Sequence, residues 1–460
     1  MKLTLKSKRR SFIDSLPTIK VSPDAINIVN STREYRNKLL ELINSAKKRI
    51  YLTALYLQDD EAGREVLEAL YQAKQNNPKL EVFIFVDFLR AQRGLMGHAK
   101  SVGNVALYRE LHQKYEHPIK IYGVPVKSKE FLGVLHLKGF VFDDTVFYSG
   151  ASINNIYLQQ TERYRYDRYH LIDNHLLANS FVRFLRDNFV KSSAVQLLTN
   201  DPIPTAKKLK PAIRRLKSCL RRSGYYFRSE EKNSKLNKEE SANQSVMLTP
   251  LLGFGGRKNK LNKTIFQLVN QTEKQVVIFT PYFNFPGKIN KTVRKILKNN
   301  KKVTIIVGDK TANDFYIPED QPFNRVGILP YIYETSLRRF VKANQSFIDQ
   351  GLLDICLWLD PGNSFHLKGI SSDNNKHLIT GHNINPRAWQ LDIENGVLIQ
   401  DPQQQLKSKF DNELNQIMQH CTRINHFDEI ETPDQYREEA QKLLKFAKRA
   451  KLDSILNRLL

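Results

Sequence analysis

The chain has 460 residues, long enough for two or three domains, and its 41% of hydrophobic residues is typical of a globular protein. No segment approaches the roughly 20 consecutive apolar residues of a membrane-spanning helix, and the basic N-terminus lacks the apolar core of a secretory signal. The net charge of +25 indicates an anionic partner, either nucleic acid or an anionic bilayer.

Each half of the chain begins with the same order of predicted elements. In the first half, the apolar strands SAKKRIYLTALYL and LEVFIFVDF flank a helix over 64–74. In the second half, the strands TEKQVVIFTPYF and KKVTIIVGDK flank a helix over 289–298. Continuous apolar strands are typical of sheets that helices cover. The repetition predicts an α/β fold with two pseudo-twofold-related halves, each a mixed β-sheet flanked by helices.

The sequence His-Leu-Lys-Gly occurs once in each half and is followed by an aspartate at a fixed spacing. The two copies comprise His136, Lys138 and Asp143, and His366, Lys368 and Asp373. Each copy predicts a hairpin with the aspartate at its turn, so we expect histidine and lysine to share one face of a strand and aspartate to be more structural. Two histidines suit phosphodiester exchange, because one can attack phosphorus while the other handles the proton of the leaving group.

Further polar residues follow both motifs at matching positions. A glycine precedes the candidate phosphate-binding residues, which are Ser152 and Asn154 in the first half and Asn383 and Asn385 in the second. About thirty residues after each histidine, Asp167 and Glu394 begin apolar strands. A carboxylate bonded to one ring nitrogen of a histidine fixes its tautomer, so we predict that these two orient the histidines; an ordinary surface ion pair is the alternative.

Two basic segments complete the predicted domain organisation. We predict a first half over 1–200, a basic helix and polar linker over 201–247, a second half over 248–430, and a basic amphipathic helix over 431–460. Apolar residues at helical spacing are Leu209, Ile213, Leu216 and Leu220 in the linker and Leu444, Ala447, Ile455 and Leu459 at the end. Such helices, together with the cluster over 2–10, suit an anionic membrane surface; alternatively their apolar faces dock on the core.

We expect no metal or other cofactor, since no compact cluster of His, Asp, Glu and Cys is present. The widely spaced Cys219, Cys356 and Cys421 form no zinc-binding pair and favour a reducing cytoplasm as the location.

The doubled motif, together with the segments YGVP, VGDKTANDFYIPED and NPRAW, resembles the phospholipase D superfamily and, within it, the bacterial CDP-diacylglycerol–serine O-phosphatidyltransferases of the peripheral type. The resemblance covers nearly the whole chain and is weakest over 225–245. It implies synthesis of phosphatidylserine, a precursor of phosphatidylethanolamine, and CMP from CDP-diacylglycerol and L-serine. It also implies a phosphatidyl intermediate on His136, acid–base chemistry by His366, charge stabilisation by the lysines, and a cytoplasmic enzyme peripheral on the inner face of the cell membrane.

Several alternatives stay open at this point. The same motif serves a phospholipase D-type hydrolase, a cardiolipin-type synthase, or more distantly a nuclease, and the basic charge allows nonspecific association with ribosomes or nucleic acid. Oligomeric state is not predicted. Polar residues in distinctive loops are candidates for contacting serine or the cytidine nucleotide, or else for loop structure; these are Asp309, Asp314, Glu319 and Arg387.

Overall fold

The computed structural model describes residues 11–93, 103–227 and 246–449. Up to residue 227 it contains the strands β1 (Ile19–Val21), β2 (Ile26–Val29), β3 (Arg49–Thr53), β4 (Glu81–Asp87), β5 (Lys120–Val124), β6 (Leu135–His136), β7 (Phe140–Phe142), β8 (Thr145–Ser149), β9 (Arg165–Tyr166), β10 (Tyr169–Asp173) and β11 (Gln196–Leu197). The helices of this part are α1 (Thr32–Ser45), α2 (Glu61–Asn76), α3 (Phe88–Ala91), α4 (Val105–Lys114), α5 (His175–Leu185) and α6 (Lys210–Leu220).

The remainder of the described chain repeats this alternation. Its strands are β12 (Val246–Phe254), β13 (Gln275–Thr280), β14 (Lys302–Gly308), β15 (Leu353–Trp358), β16 (Ser364–Phe365), β17 (Gly369–Ser372), β18 (Lys376–Thr380), β19 (Ile393–Gln400) and β20 (Cys421–Ile424). Its helices are α7 (Lys260–Asn270), α8 (Gly287–Lys298), α9 (Leu329–Ala343), α10 (Gln345–Asp349), α11 (Pro386–Gln390), α12 (Lys407–Met418) and α13 (Glu438–Arg449).

Two mixed β-sheets, one for each half, form the centre of the fold. The first has the strand order β11-β5-β4-β3-β7-β8-β10-β2, and the second has the order β1-β12-β19-β18-β17-β13-β14-β15-β20. In both orders, three neighbouring strands are parallel (β3 to β5, and β13 to β15) and the other neighbours are antiparallel. Strand β6 joins the second sheet beside this order, by parallel pairing with β19. The predicted α/β class, with mixed sheets flanked by helices, is confirmed. The predicted domain boundaries stay predictions, although β1 pairs with β12 in the sheet of the second half.

The predicted strand–helix–strand units are present in both halves. Helix α2 extends the predicted 64–74 at both ends, since the side chain of Asp60 accepts a hydrogen bond from Gly63 N at 2.9 Å and caps the helix. Its apolar stripe, which includes Val66 and Leu70, is buried against the sheet. The predicted helix over 289–298 is α8, which begins two residues earlier.

The histidine motifs do not lie on single strands, contrary to the prediction. Strand β6 ends at His136, and β7 begins only at Phe140; likewise β16 ends before His366, and β17 begins at Gly369. The breaks arise because β6 pairs with β19 and β16 pairs with β9, so each short strand joins the opposite half before the chain returns to a hairpin in its own sheet. The argument that histidine and lysine share the face of one strand therefore fails.

The two basic segments are helical, and both dock through apolar residues. All four predicted apolar positions of α6 are buried in the core of the first half, while Lys210, Arg214 and Arg221 remain exposed. Helix α13 packs Ala440 against Tyr331 and Tyr436. Within the described ranges, no helix combines the length and apolarity needed to cross a bilayer. The cluster over 2–10, most of the linker over 225–245 and the residues after 449 lie outside the described residues.

Candidate active site

His136 is oriented by a carboxylate from the other half of the chain. The parallel pairing of β6 with β19 places His136 directly opposite Glu394. Its Nδ1 atom lies 2.9 Å from both carboxylate oxygens of Glu394, whose side chain is buried. The carboxylate accepts a hydrogen bond from Nδ1–H, which keeps the proton of the neutral ring on Nδ1 and leaves Nε2 with a free lone pair that can attack an electrophile.

His366 has the mirrored arrangement. Its backbone N–H donates to Tyr166 O at 2.8 Å, which continues the pairing of β16 with β9 and brings Asp167 opposite the imidazole. His366 Nδ1 lies 2.7 Å from Asp167 Oδ2. Each histidine is therefore held by the carboxylate of the opposite half, a pairing that alignment of the halves alone does not reveal.

The two lysines occupy different environments. Lys138 Nζ donates to Ala151 O and to Ser152 Oγ, both at 3.2 Å, and its side chain lines the cavity. Lys368 Nζ contacts His366 Nδ1 and lies 3.4 Å from Asp167 Oδ2, and Lys368 is not among the residues that line the cavity. Burial, reinforced by the charge of Lys368, lowers the pKa of Lys138 to about 7; burial also lowers the pKa of Lys368, to about 8, although Asp167 opposes this.

Burial sets the charge state of both histidines. Burial first, and then the neighbouring lysines, hold the pKa values of His136 and His366 well below the usual range of imidazole. Carboxylates act on both rings: Glu394 contacts His136, and the negative charge of Asp314 opposes the lowering of the pKa of His366. Both histidines therefore have a carboxylate that favours a bound proton.

Two glycines permit the close approach of these charged groups. A Cβ atom on Gly150 would lie 2.7 and 2.9 Å from the two carboxylate oxygens of Asp167. A Cβ atom on Gly381 would lie 2.8 Å from Cγ of Lys138. Side chains at these positions would displace a carboxylate and a lysine from the site, which explains why a glycine follows each motif at this position.

The four predicted phosphate-binding residues all line one cavity of about 1090 Å³ together with both histidines. Asn154 Oδ1 accepts from Tyr157 N at 2.9 Å, and Asn385 Oδ1 caps α11 by accepting from Ala388 N at 2.9 Å. Asn383 Oδ1 is buried without a hydrogen-bond partner in the described part of the chain. The volume lies at the upper end for small-molecule sites.

The motif aspartates lie away from the cavity and hold backbone turns. Asp143, at φ 50°, accepts hydrogen bonds from the backbone N–H groups of residues 47–49 at 2.7 to 2.9 Å. Asp373, at φ 54°, accepts from those of residues 273–275 at 2.8 to 3.2 Å. Each aspartate thus joins its hairpin to the start of the strand that the hairpin pairs with, β3 in the first half and β13 in the second.

Two residues that line the cavity, Arg165 and Tyr157, were not predicted from the sequence. Arg165 lies two residues before Asp167, and that alternation is the signal by which it could have been found. Tyr157 has no such signal, yet its hydroxyl lies 3.1 Å from His366 Nε2.

Of the loop candidates, Asp314 and Arg387 line the cavity. The other two do not: Asp309 holds a turn through Thr311, and Glu319 is exposed. Within the described ranges, no three His, Cys, Asp or Glu side chains converge as a metal site.

A family model described as "Cardiolipin synthase, PLD-like domain" matches residues 39–186 and 265–418, ranges that contain one histidine motif each. The CDP-diacylglycerol–serine O-phosphatidyltransferase of Haemophilus influenzae is 46% identical over 459 residues, with 99% of each chain covered. The corresponding enzyme of Escherichia coli K12 is 42% identical over 458 residues, again with 99% of both covered. A crystal structure of the Haemophilus influenzae phosphatidylserine synthase matches with a TM-score of 0.91 over 97% of both chains, at 46% identity.

Proposed function

Since the chain belongs to the family of CDP-diacylglycerol–serine O-phosphatidyltransferases, an enzyme family with phospholipase D-like domains, we propose that it transfers a phosphatidyl group from CDP-diacylglycerol to L-serine through a phosphatidyl-histidine. The observation that carries the proposal is the pair of histidines on one cavity, each with Nδ1 bound to a carboxylate of the opposite half. The products are phosphatidylserine, for phospholipid synthesis as a precursor of phosphatidylethanolamine, and CMP.

In the first half-reaction, Nε2 of His136 attacks the phosphorus that carries the diacylglycerol. The bond from this phosphorus to the oxygen of CMP breaks, and His366 gives its proton to the departing CMP. The assignment of the nucleophile to His136 follows the family resemblance, because each histidine lies against a carboxylate of the opposite half in the same way. Glu394 stabilises the charge that develops on the attacking imidazole.

In the second half-reaction, the serine hydroxyl attacks the same phosphorus. Its proton passes to His366, the phosphorus–nitrogen bond breaks, and His136 returns to its starting form. Lys138 neutralises charge on the nonbridging oxygens, and Lys368 adds positive charge from behind His366. Ser152, Asn154, Asn383 and Asn385 are the candidate hydrogen-bonding groups around the phosphoryl oxygens.

A trapping experiment tests the intermediate. The protein is incubated with CDP-diacylglycerol labelled in the diacylglycerol part, without serine, and the acid-labile adduct is mapped by mass spectrometry. We expect label on His136 and none in H136Q. Label on His366 would reverse the assignment of roles, and the absence of any histidine adduct would contradict the covalent mechanism.

A second candidate shares the first half-reaction and differs in the acceptor. The description of the matched family model favours a cardiolipin-type synthase with a glycerol-containing acceptor, and water would make the protein a hydrolase. CMP release is therefore measured with serine, with phosphatidylglycerol and with neither. The proposal predicts strong stimulation by serine alone, whereas release that is indifferent to serine would count against it.

We place the membrane-docking surface beside the mouth of the cavity. The apolar residues Phe131 and Leu132 at this rim are 53% and 37% exposed, which is unusual for large apolar side chains. Lys127 lies near Lys217 of α6 and Arg221 just after it. Burial, and next to it these two positive charges, lower the pKa of Lys127 to about 8. Exposed apolar residues beside clustered cations suit an anionic bilayer that presents the lipid substrate. Salt-sensitive association with ribosomes or nucleic acid follows from the same charge.

A further inference from the structure

An ion pair between the two halves borders the cavity next to His366. Arg165 Nε lies 2.6 Å from Asp314 Oδ1, and both side chains retain 10% exposure. Burial alone would raise the pKa of Asp314, but the charges of Arg165 and His366 and the hydrogen bond from Tyr282 together hold that pKa below its usual value. The carboxylate is therefore ionised within the cavity wall.

Aromatic side chains surround this ion pair. Tyr282 donates to Asp314 Oδ2 at 2.6 Å, and the guanidinium of Arg165 stacks 4.6 Å from the ring centre of Tyr157. The hydroxyl of Tyr157 lies 3.1 Å from Nε2 of His366, at the distance from which an acceptor hydroxyl would pass its proton to that atom. The ion pair and the general base thus share one wall of the cavity.

Two observations distinguish this wall from a purely structural contact. Asp314 Oδ1 is buried, and besides its ion pair with Arg165 it receives no hydrogen bond of good geometry from the described residues, so it can accept a further one. Arg163 lines the same cavity, is exposed, and forms no ion pair within the described ranges. A carboxylate and a nearby unpaired cation form a surface complementary to a zwitterion.

We infer that this wall is the subsite for an α-amino acid acceptor, with the ammonium on Asp314 and the carboxylate between Arg163 and Arg165. The inference rests on the proposed function and deepens it by assigning residues to the acceptor. In-line displacement supports the location, because the leaving group departs opposite the attacking His136 and therefore on the side of His366. CMP vacates this space before serine enters it.

The first test separates acceptor binding from formation of the intermediate. In D314N we expect the KM for serine to rise about tenfold or more, because a charge-assisted contact to the ammonium is lost. Exchange of labelled CMP into CDP-diacylglycerol, which requires only the first half-reaction, should change much less than the serine KM. The matched control is D320N, an exposed aspartate of the same segment, which should leave both measurements within about twofold.

The second test uses serine analogues as inhibitors. Serinamide keeps the ammonium and lacks the carboxylate, whereas 3-hydroxypropionate keeps the carboxylate and lacks the ammonium. D314N should weaken inhibition by serinamide about tenfold and leave 3-hydroxypropionate within about twofold. R163Q, at the exposed rim where folding is not at risk, should give the opposite pattern.

The inference is overturned if D314N leaves the serine KM unchanged, if it slows CMP exchange as much as phosphatidylserine formation, or if both variants weaken the two analogues equally. These outcomes differ from failure of the proposed function, in which the unsubstituted protein itself releases CMP without regard to serine.

Discussion

At the scale of single residues, carboxylates that all belong to the pattern repeated in the two halves of the sequence have different surroundings in the structure, and their surroundings determine their roles. Glu394 and Asp143 both belong to the doubled pattern, but Glu394 is buried against an imidazole while Asp143 binds backbone N–H groups at a turn. A group that touches the nucleophile acts on the reaction, whereas a group that holds a turn acts on stability. Replacing a carboxylate by its amide should therefore lower the reaction rate at Glu394 and the stability of the fold at Asp143.

We predict that E394Q slows formation of the phosphatidyl intermediate by about 100-fold or more, because the amide no longer fixes the tautomer or stabilises the imidazolium. Single-turnover CMP release measures this rate. The control is D143N, which should lower the free energy of unfolding by about 1–3 kcal/mol and leave the single-turnover rate within about threefold. Equal effects of both substitutions on the rate would contradict this separation.

The pH dependence of the enzyme should reflect Lys138. Because burial lowers its pKa to about 7, the ammonium loses its proton as the pH rises through neutrality, and transition-state charge loses a partner. We expect kcat/KM for CDP-diacylglycerol, which reports the free enzyme, to fall above about pH 7. K138R, whose guanidinium stays charged, should remove this alkaline fall even if its maximal rate is lower; persistence of the fall in K138R would assign it to another group.

At the scale of elements, local sequence patterns predict the strands of the sheets. They do not predict the interruptions between β6 and β7 and between β16 and β17, where the histidine motifs lie. Apolar runs such as those of β4 and β13 predict buried strands, and the structure contains them. The interruption after His136 instead depends on pairing of β6 with a strand about 258 positions away along the chain. Local propensity carries no information about a partner so distant in sequence.

Close packing around Gly150, which follows the first histidine motif, gives a prediction at this scale. In G150A the new methyl group would meet the carboxylate of Asp167 and push it away from His366. We expect a loss of about 1–3 kcal/mol in the free energy of unfolding, from overpacking, together with a fall of at least about tenfold in turnover. The measurements are denaturant unfolding and phosphatidylserine formation.

The matched control is G287A, since a Cβ atom at Gly287 has no neighbour within 4 Å. It should be neutral in both measurements. Wild-type turnover in G150A would mean that Asp167 relaxes without disturbing the histidine.

At the scale of the whole molecule, the two halves exchange strands and so build one cavity instead of two. Strand β6 joins the second sheet, and β16 pairs with β9 of the first half. The cavity thereby takes one histidine from each half and a carboxylate for each from the other. Phe131 lines the cavity, and Lys127, four residues earlier, lies near Lys217 of α6.

We predict that K217Q/R221Q weakens binding to phosphatidylglycerol-containing vesicles by about 2 kcal/mol, roughly 30-fold, because each cation near an anionic surface contributes about 1 kcal/mol. Turnover of detergent-solubilised substrate should be retained. Vesicle sedimentation at several salt concentrations measures the binding. The control K298Q/K301Q removes the same charge on the other half of the chain and should weaken binding less; an equal effect would mean that binding follows net charge alone.

The C-terminal segment has a second role that complicates its removal. Arg437 donates to the carbonyls of Ile317 and Pro318, in the loop that lines the cavity. Deletion of 437–460 should therefore weaken vesicle binding and also disturb turnover in detergent, whereas a deletion that begins after residue 449 leaves this contact intact. Unchanged sedimentation of both truncated proteins would exclude the segment from membrane docking.

The sequence by itself determined the duplicated α/β architecture, the reacting residue types and the basic charge, because apolar periodicity, the repeated motif and composition are local or additive properties. It also placed Asp167 and Glu394 at matching positions. Only the tertiary structure decided which histidine each carboxylate holds, that Arg165 and Tyr157 enter the cavity, and that the motif aspartates leave it. Those facts depend on strand pairing between halves and on burial, which arise from contacts between residues far apart in the chain.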